Sequence, residues 1–239
     1  MAKDGQSVTR AAAVHQQMRS DIFSGTLQPG DRLKFQKVCE RYQTSVGAAR
    51  EALTRLVAEG LVQSQPNVGY TVTPLSIEDL NDLTEARVEL ECLALRKAIE
   101  NGDRHWEANL VAAHHLLANT PFGSGTEPWH TDEWGSAHTA FHFALIARCP
   151  NRRILQMARS LREEAGLYQR WSESFRPSHR DVAAEHLAIL EATLARDADR
   201  ASTLLKNHLR QTARLIIESN VIQDGQYIGK NSGPVADIA

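Results

Sequence analysis

The chain has little of what special architectures require. Its 239 residues include three cysteines, Cys39, Cys92 and Cys149, which lie far apart with no Cys-x-x-Cys pair. That excludes a disulfide framework and a thiolate zinc site, leaving three small hydrophobes. No stretch approaches the ~18 consecutive apolar residues of a membrane span, and Met1–Ser7 contains no apolar signal core. These absences predict a soluble cytoplasmic protein with no membrane partner. Fourteen Gly and eight Pro are ordinary numbers, so collagen-like and low-complexity chains are excluded as well. Three frequent enzyme signals are also missing: a Gly-rich phosphate loop, a G-x-S-x-G elbow and an H-E-x-x-H pair.

What is present is unevenly distributed. The formal net charge is −2, which by itself argues against a nucleic-acid partner. Residues 1–76, however, hold nine Lys/Arg against six acids, a balance of +3, and residues 77–239 hold eighteen against twenty-three, a balance of −5. A basic head on an acidic body is the asymmetry expected when only the head meets phosphate.

The hydrophobic pattern divides at the same place. Val14, Met18, Ile22 and the Leu27 region predict a helix over 9–24, closed by Gly25 and the Pro29-Gly30 turn. A short helix follows over 35–42, then a third from Val46 to Glu59 with Ser45 as N-cap and Gly60 just past its end. Leu61–Ser64 and Tyr70–Thr73 read as two strands joined by Gln65–Gly69. Pro74 breaks the chain, and Ser76–Asp79 opens the next helix in capping-box fashion. Beyond it, helices are predicted over 77–101, 103–118, 133–148, 152–170, 181–196 and 198–221. The fold class is therefore mainly α. Residues 1–75 form an N-terminal winged helix-turn-helix, residues 76–222 an antiparallel all-α bundle of about six helices, and 223–239 a flexible tail.

A winged helix-turn-helix places its third helix in the major groove and its wing against the backbone or minor groove. Gly25–Leu33, Ser45, Arg50-Glu51-Ala52-Leu53, Leu56 and Glu59–Val62 together resemble the GntR family of bacterial transcription regulators over most of residues 10–74. The resemblance implies that Arg50, in the R-E-A-L segment, contacts the operator. One turn into the helix, its guanidinium could reach guanine or phosphate; pairing with Glu51 or Glu40 is the alternative. Lys37, Arg41, Thr44, Ser45 and Asn67 are candidate phosphate contacts. Val46 and Val68 stand where the family often has arginine, so base reading rests on few groups and on thymine-methyl contact.

Histidines mark the body. On the helix over 133–148, the apolar face Trp134, Ala137, Phe141, Leu145 also carries His138 and His142. Ala183, Leu187, Leu190 and Leu194 form a stripe that carries His186. Ala201, Leu204, Leu205, Thr212 and Leu215 flank His208. Four imidazoles from three helices can close a metal site, although hydrogen-bonded core histidines without metal are the plainer alternative. His138–His142, Asn151, Glu185-His186, Ile189-Leu190, Asp197 and His208-Leu209 resemble the FCD domain of FadR-like GntR regulators over residues 80–220. The resemblance implies a divalent metal held by one Asp and three His, here His142, His186 and His208. His138 occupies the Asp position. Imidazole favours zinc, with nickel or iron also suited, over magnesium or calcium.

Arg87 falls within the stripe Leu80, Leu83, Leu90, Ala94. Buried, it needs a partner: Glu91 one turn on, or, as the resemblance implies, an effector carboxylate. The expected function is a homodimeric, ligand-responsive regulator, a repressor, that binds a palindromic double-stranded DNA operator, a divalent metal and a small organic acid. Two alternatives stand beside it. One is a metal-dependent hydrolase or isomerase using the histidine cluster, and the other a regulator whose metal only braces the fold.

Overall fold

The computed structural model describes residues 9–23, 25–66, 69–122, 132–171, 180–218, 222–223 and 226–227. The chain divides into two compact units, with one boundary after Ile77 and another after Ser219.

The first unit carries α1 (Arg10–Phe23), β1 (Arg32–Leu33), α2 (Phe35–Arg41), α3 (Val46–Ala58), β2 (Val62–Gln65) and β3 (Gly69–Val72). Its core is the stripe read from the sequence: Val14, Met18 and Ile22 of α1 meet Ala49, Ala52, Leu53 and Leu56 of α3, all 0% exposed. Ser45 caps α3 by accepting a hydrogen bond from the Ala48 amide at 3.3 Å. The turn before it puts Gln43 at φ 47°, and the Thr44 amide donates back to the Cys39 carbonyl at 3.0 Å. Both predicted strands are present, joined by a third, β1. The antiparallel sheet has the order β1-β3-β2, with Arg32 opposite Thr71 and Val62 opposite Val72. Gly30 lets the chain reach this sheet: at φ 87°, a conformation that penalises any Cβ, its amide donates to Val72 O at 3.0 Å.

The second unit is all helix among its described residues: α4 (Ile77–Asn101), α5 (Arg104–Asn119), α6 (Asp132–Ile146), α7 (Arg152–Trp171), α8 (Val182–Leu194) and α9 (Ala198–Glu218). Side-chain acceptors start most of them. Asp103 accepts from the Trp106 amide, Asn151 from Arg153 and Ile154, Asp181 from Ala184 and Asp197 from Arg200, at 2.8–3.2 Å. Each satisfies an otherwise orphaned amide of a first turn. Arg196 ties the α8–α9 corner to the α4–α5 corner, donating to Ile99 O at 2.5 Å, to Gly102 O at 2.9 Å and to Glu107. Gly102 is required there by close approach: a Cβ would stand 2.8 Å from Ala98 O and would collide with the Trp106 ring. Trp106 Nε1 donates to Ala144 O at 2.7 Å, holding α5 on α6.

Two expectations change. Ala183 and Leu187 are exposed, Leu187 at 45%, so the buried face of α8 is His186, Ile189, Leu190, Ala192 and Thr193. The last helix ends at Glu218, and Ile222–Gln223 and Gln226–Tyr227 form a short antiparallel pair, β4 and β5. The remainder of the expected tail, 228–239, lies outside the described residues.

Candidate metal centre and nucleic-acid interface

On the winged unit, Arg50 is exposed on α3, and its guanidinium carbon stands 4.8 Å from the Phe35 ring centroid. Phe35 in turn meets Tyr70 of β3 edge-on at 5.5 Å. The aromatic pair holds the guanidinium by a cation–π contact while leaving its N–H edge to outside acceptors. The alternative partners are otherwise engaged: Glu51 pairs with Arg55 at 2.5 Å, and Glu40 accepts from Gln36 at 3.1 Å. Val46 is 53% exposed at the start of the helix, placed for apolar contact.

The phosphate candidates fare differently. Lys37 and Ser45 are exposed. Arg41 is drawn to Asp21 at 3.0 Å and lies over Tyr42, so it braces α2 on α1. Thr44 does not present its hydroxyl: Oγ1 is buried, with no hydrogen-bond partner among the described residues. Asn67 lies outside the described residues, as does Val68.

In the helical unit the four expected histidines converge. His138 and His142 come from α6, His186 from α8 and His208 from α9, at 7%, 1%, 2% and 5% exposure. One ring nitrogen of each lies within 4.8 Å of the others. The spacing approaches the roughly 3.3 Å edge of a tetrahedron with 2.0–2.1 Å bonds. Trp134 stacks on His138 at 4.6 Å with 15° between planes, fixing that ring. The donor chemistry fits a cation. Among the described residues, His142 Nδ1 and Nε2 and His186 Nε2 are buried without hydrogen-bond partners, and such orphans are costly unless something binds them.

Three of the four imidazoles are held neutral. Burial, then the Arg162 charge and the neighbouring rings, pushes His142 well below the usual histidine range. Burial, the His208 charge and Arg162 take His186 down to about 2. Burial also lowers His208, against the opposing pull of Glu185. Neutral imidazole is the form that ligates metal.

Glu185, which the sequence offers only as part of the FCD resemblance and with no role, orients His208. Its Oε2 lies 2.7 Å from His208 Nδ1, and Arg180 grips both carboxylate oxygens at 2.8 and 2.7 Å. A proton on Nδ1 donating to Glu185 leaves the Nε2 lone pair for the cluster. Burial alone would raise the Glu185 carboxyl, but hydrogen bonds from Arg180 and His208 outweigh it and hold it at about 2.

Arg87 and Glu91, the expected effector residues, are both buried and joined by an ion pair of 2.7 Å across one turn of α4. A second guanidinium, missed from the sequence, stands against them: Arg162 of α7 places Nη1 3.6 Å from Glu91 Oε2. His114 is half-buried, edge-on to Phe141 at 5.5 Å, consistent with core lining.

Both units match known domains. Residues 10–72 match the gntR family of bacterial regulatory proteins, and residues 82–211 match the FCD domain. The HTH-type transcriptional regulator BphR of Paraburkholderia xenovorans is 36% identical over 88% of this chain and 86% of its own length. The HTH-type transcriptional repressor GlaR of Escherichia coli is 36% identical over 80% and 89%. Among solved structures, a GntR regulator from Rhodococcus sp. RHA1 aligns with a TM-score of 0.66 at 27% identity, covering 87% of this chain and 98% of that one. E. coli McbR/YncC has the same fold, with a TM-score of 0.67 at 23% identity over 88% and 98%. No described helix is long and apolar enough to cross a membrane. The hydrolase or isomerase alternative falls away, because both halves of the chain match regulator domains. The chain belongs to the GntR family of bacterial transcription regulators: a DNA-binding winged helix-turn-helix joined to an FCD domain, and not an enzyme.

Proposed function

We propose that the chain is a homodimeric repressor that reads a palindromic operator and responds to a small organic acid, with a divalent transition metal in its FCD domain. His138, His142, His186 and His208 would hold the metal, most suitably zinc. Arg87, with Glu91 as its counter-ion, belongs to the effector site. The observation that carries the metal is the set of orphaned ring nitrogens on His142 and His186 inside a four-histidine cluster. The ion would supply positive charge and a Lewis-acidic anchor for an anion; the chain orders the ligands, keeps them unprotonated and shuts out water. GlaR of E. coli, 36% identical, is named a repressor, which favours repression here. Effector binding would act on operator affinity by biasing the placement of the two winged heads, and hence their match to two half-sites. Arg50 carries the DNA contact.

The test is a mobility-shift titration on operator DNA recovered by pull-down and sequencing. Arg50→Ala should weaken binding roughly 5–150-fold, the equivalent of about 1–3 kcal/mol for a lost arginine–base contact. Protein purified without a histidine tag or chelator should carry one transition metal per chain. Unchanged affinity of the Arg50 variant would defeat the docking. Absence of stoichiometric metal, together with no rise in melting temperature on adding zinc, would defeat the metal site.

A further inference from the structure

Arg50 is an exposed cation on α3, and among the described residues its guanidinium has one partner, the Phe35 ring, with 4.8 Å from the guanidinium carbon to the ring centroid. Phe35 is the first residue of α2 and is half-buried. Its ring is backed by Tyr70, edge-on at 5.5 Å with 83° between planes. The sheet register explains the contact. Tyr70 sits on the central strand, opposite Leu33 of β1 and Ser64 of β2, and Phe35 follows Leu33 by two residues. The turn joining α2 to α3 is held as well: Arg10 of α1 donates to Tyr42 O at 2.7 Å and to Gln43 O at 2.6 Å. The helices that carry Phe35 and Arg50 are therefore fixed against each other.

What Phe35 does to Arg50 follows from the chemistry of the two groups. A benzene ring binds the face of a guanidinium and offers no acceptor to its edge, so the N–H donors stay available to an outside acceptor. The stack also removes rotamers that a long side chain would otherwise lose on binding. A phosphate contact needs neither effect, because a swinging arginine reaches a phosphate oxygen from many directions. A bidentate contact to guanine O6 and N7 needs both, because two parallel hydrogen bonds require the plane to be set in advance. Val46, Gly47 and Ala48, the first residues of α3, carry no hydrogen-bonding side chain. Base reading by hydrogen bonds from this part of the helix therefore falls on the one guanidinium whose plane is fixed.

We propose that Phe35 is a positioning residue for operator recognition: its ring, backed by Tyr70, sets the plane of the Arg50 guanidinium so that Arg50 reads a guanine edge and does not serve as a phosphate contact. The inference rests on the DNA contact of Arg50 proposed above and adds the residue that aims it. Because Tyr70 belongs to the wing sheet, the same stack ties the wing to α3, and the two meet DNA as one surface. Phe35 itself touches no base. Its effect on binding passes entirely through Arg50.

The experiment is a mobility-shift titration of the full chain on the recovered operator and on a scrambled duplex of equal length, each at several salt concentrations. The variants are Phe35→Leu, Phe35→Tyr, Arg50→Gln and the double variant Phe35→Leu/Arg50→Gln. Phe35→Leu is expected to lose about fivefold or more on the operator and less than about twofold on the scrambled duplex, since non-specific binding rests on phosphate contacts alone. Phe35→Tyr keeps the ring face and should bind within about twofold of wild type. The double variant should bind the operator as Arg50→Gln does, because the ring then has nothing to aim. A lost phosphate contact lowers the salt slope by about one, whereas a lost base contact relaxes specificity; Arg50→Gln should show the second behaviour. Equal losses on both duplexes for Phe35→Leu would mean that the ring only braces the winged unit, and would overturn the proposal. So would additive losses in the double variant, or an Arg50→Gln protein that keeps its preference for the operator while its salt slope falls. If Arg50→Gln leaves operator affinity unchanged, the DNA contact of Arg50 fails and this proposal with it. If Arg50→Gln weakens the operator complex and Phe35→Leu does not, the contact stands and only the positioning role is lost.

Discussion

Replacing Glu185 by Gln separates ligand orientation from ligand identity. The substitution keeps the size of the side chain and removes its charge. In the wild type, Glu185 Oε2 lies 2.7 Å from His208 Nδ1 and is fixed by Arg180. A carboxylate only accepts, so the Nδ1 proton is held and Nε2 stays a lone pair. A glutamine can turn its amide toward Nδ1 and donate, which favours the tautomer with its proton on Nε2 and blocks that ligand. Loss of a partner of this kind typically costs tenfold to a hundredfold in metal affinity, or about 1.4–2.8 kcal/mol. The Glu185 side chain is 30% exposed, so water replaces part of the lost interaction and the lower end of that range is expected. Zinc affinity by competition with a chromophoric chelator measures the loss directly. Long-range nitrogen–proton NMR of the metal-free protein reads the tautomer: a single Nδ1–H form of His208 in the wild type and a mixture in the variant. A zinc Kd within twofold of wild type, with one unchanged tautomer, would refute the positioning role and leave Glu185 as a brace for Arg180.

Other outcomes follow from the packing. Glu91→Gln leaves two buried guanidiniums without a carboxylate and should destabilise the helical unit by about 3–5 kcal/mol in denaturant unfolding; adding Arg162→Met should recover part of the loss. Gly102→Ala drives a methyl into Trp106 and Ala98 O, and an overpacking cost of about 1–3 kcal/mol should lower Tm by several degrees. Cys92 is pushed up to about 11, chiefly by burial and then by the Glu91 charge. At pH 8 roughly one thiol in a thousand is then ionised, so mass-spectrometric alkylation should label Cys92 about a hundredfold more slowly than an ordinary exposed thiol. Since this pKa is raised, the stability it contributes is present below the unfolded value near 9 and is lost as pH rises toward 11.

Helix positions in this chain were legible where breakers bound a periodic stripe. Ile77–Asn101 was readable to the residue because Pro74 and Gly102 flank it, and the α1 stripe Val14, Met18, Ile22 is the core. The phase of α8 was not, because the segment Val182–Leu194 is apolar almost all round and no polar face marks the outside. The stripe therefore places Leu187 inward, whereas it is exposed. His186 survived the error because it adjoins the true buried face. Strand β1, two residues long, has no periodicity to read. Arg162 was hidden by its neighbours: seven of the twenty residues of α7 are Arg or Glu, so one more charge carries no signal. Its phase was informative, since Arg162 lies four residues after Ala158 and three before Ala165, both buried. A charged residue in step with buried alanines is the pattern that would have revealed it.

The two deficits inside the bundle complement each other, and that has a thermodynamic consequence. Among the described residues, imidazole nitrogens on His142 and His186 have no hydrogen-bond partner, Arg87 Nη2 and Arg162 Nε have no acceptor, and Arg162 Nη1 has only the 3.6 Å ion pair with Glu91. Hydrocarbon satisfies neither. A cation on the first set and an anion near the second each weaken the electrostatic cost of the other, because Arg162 already acts on three of the four histidines. Linkage then requires that the anion tighten zinc by the same factor as zinc tightens the anion. A typical coupling of about 1–3 kcal/mol corresponds to a factor of roughly 5–150. The four affinities of that cycle can be measured with zinc and succinate alone, and Arg162→Gln should weaken the anion legs most. A coupling factor of one would mean that the two sites act independently, and that adjacency of charge inside this bundle is structural and carries no regulatory signal.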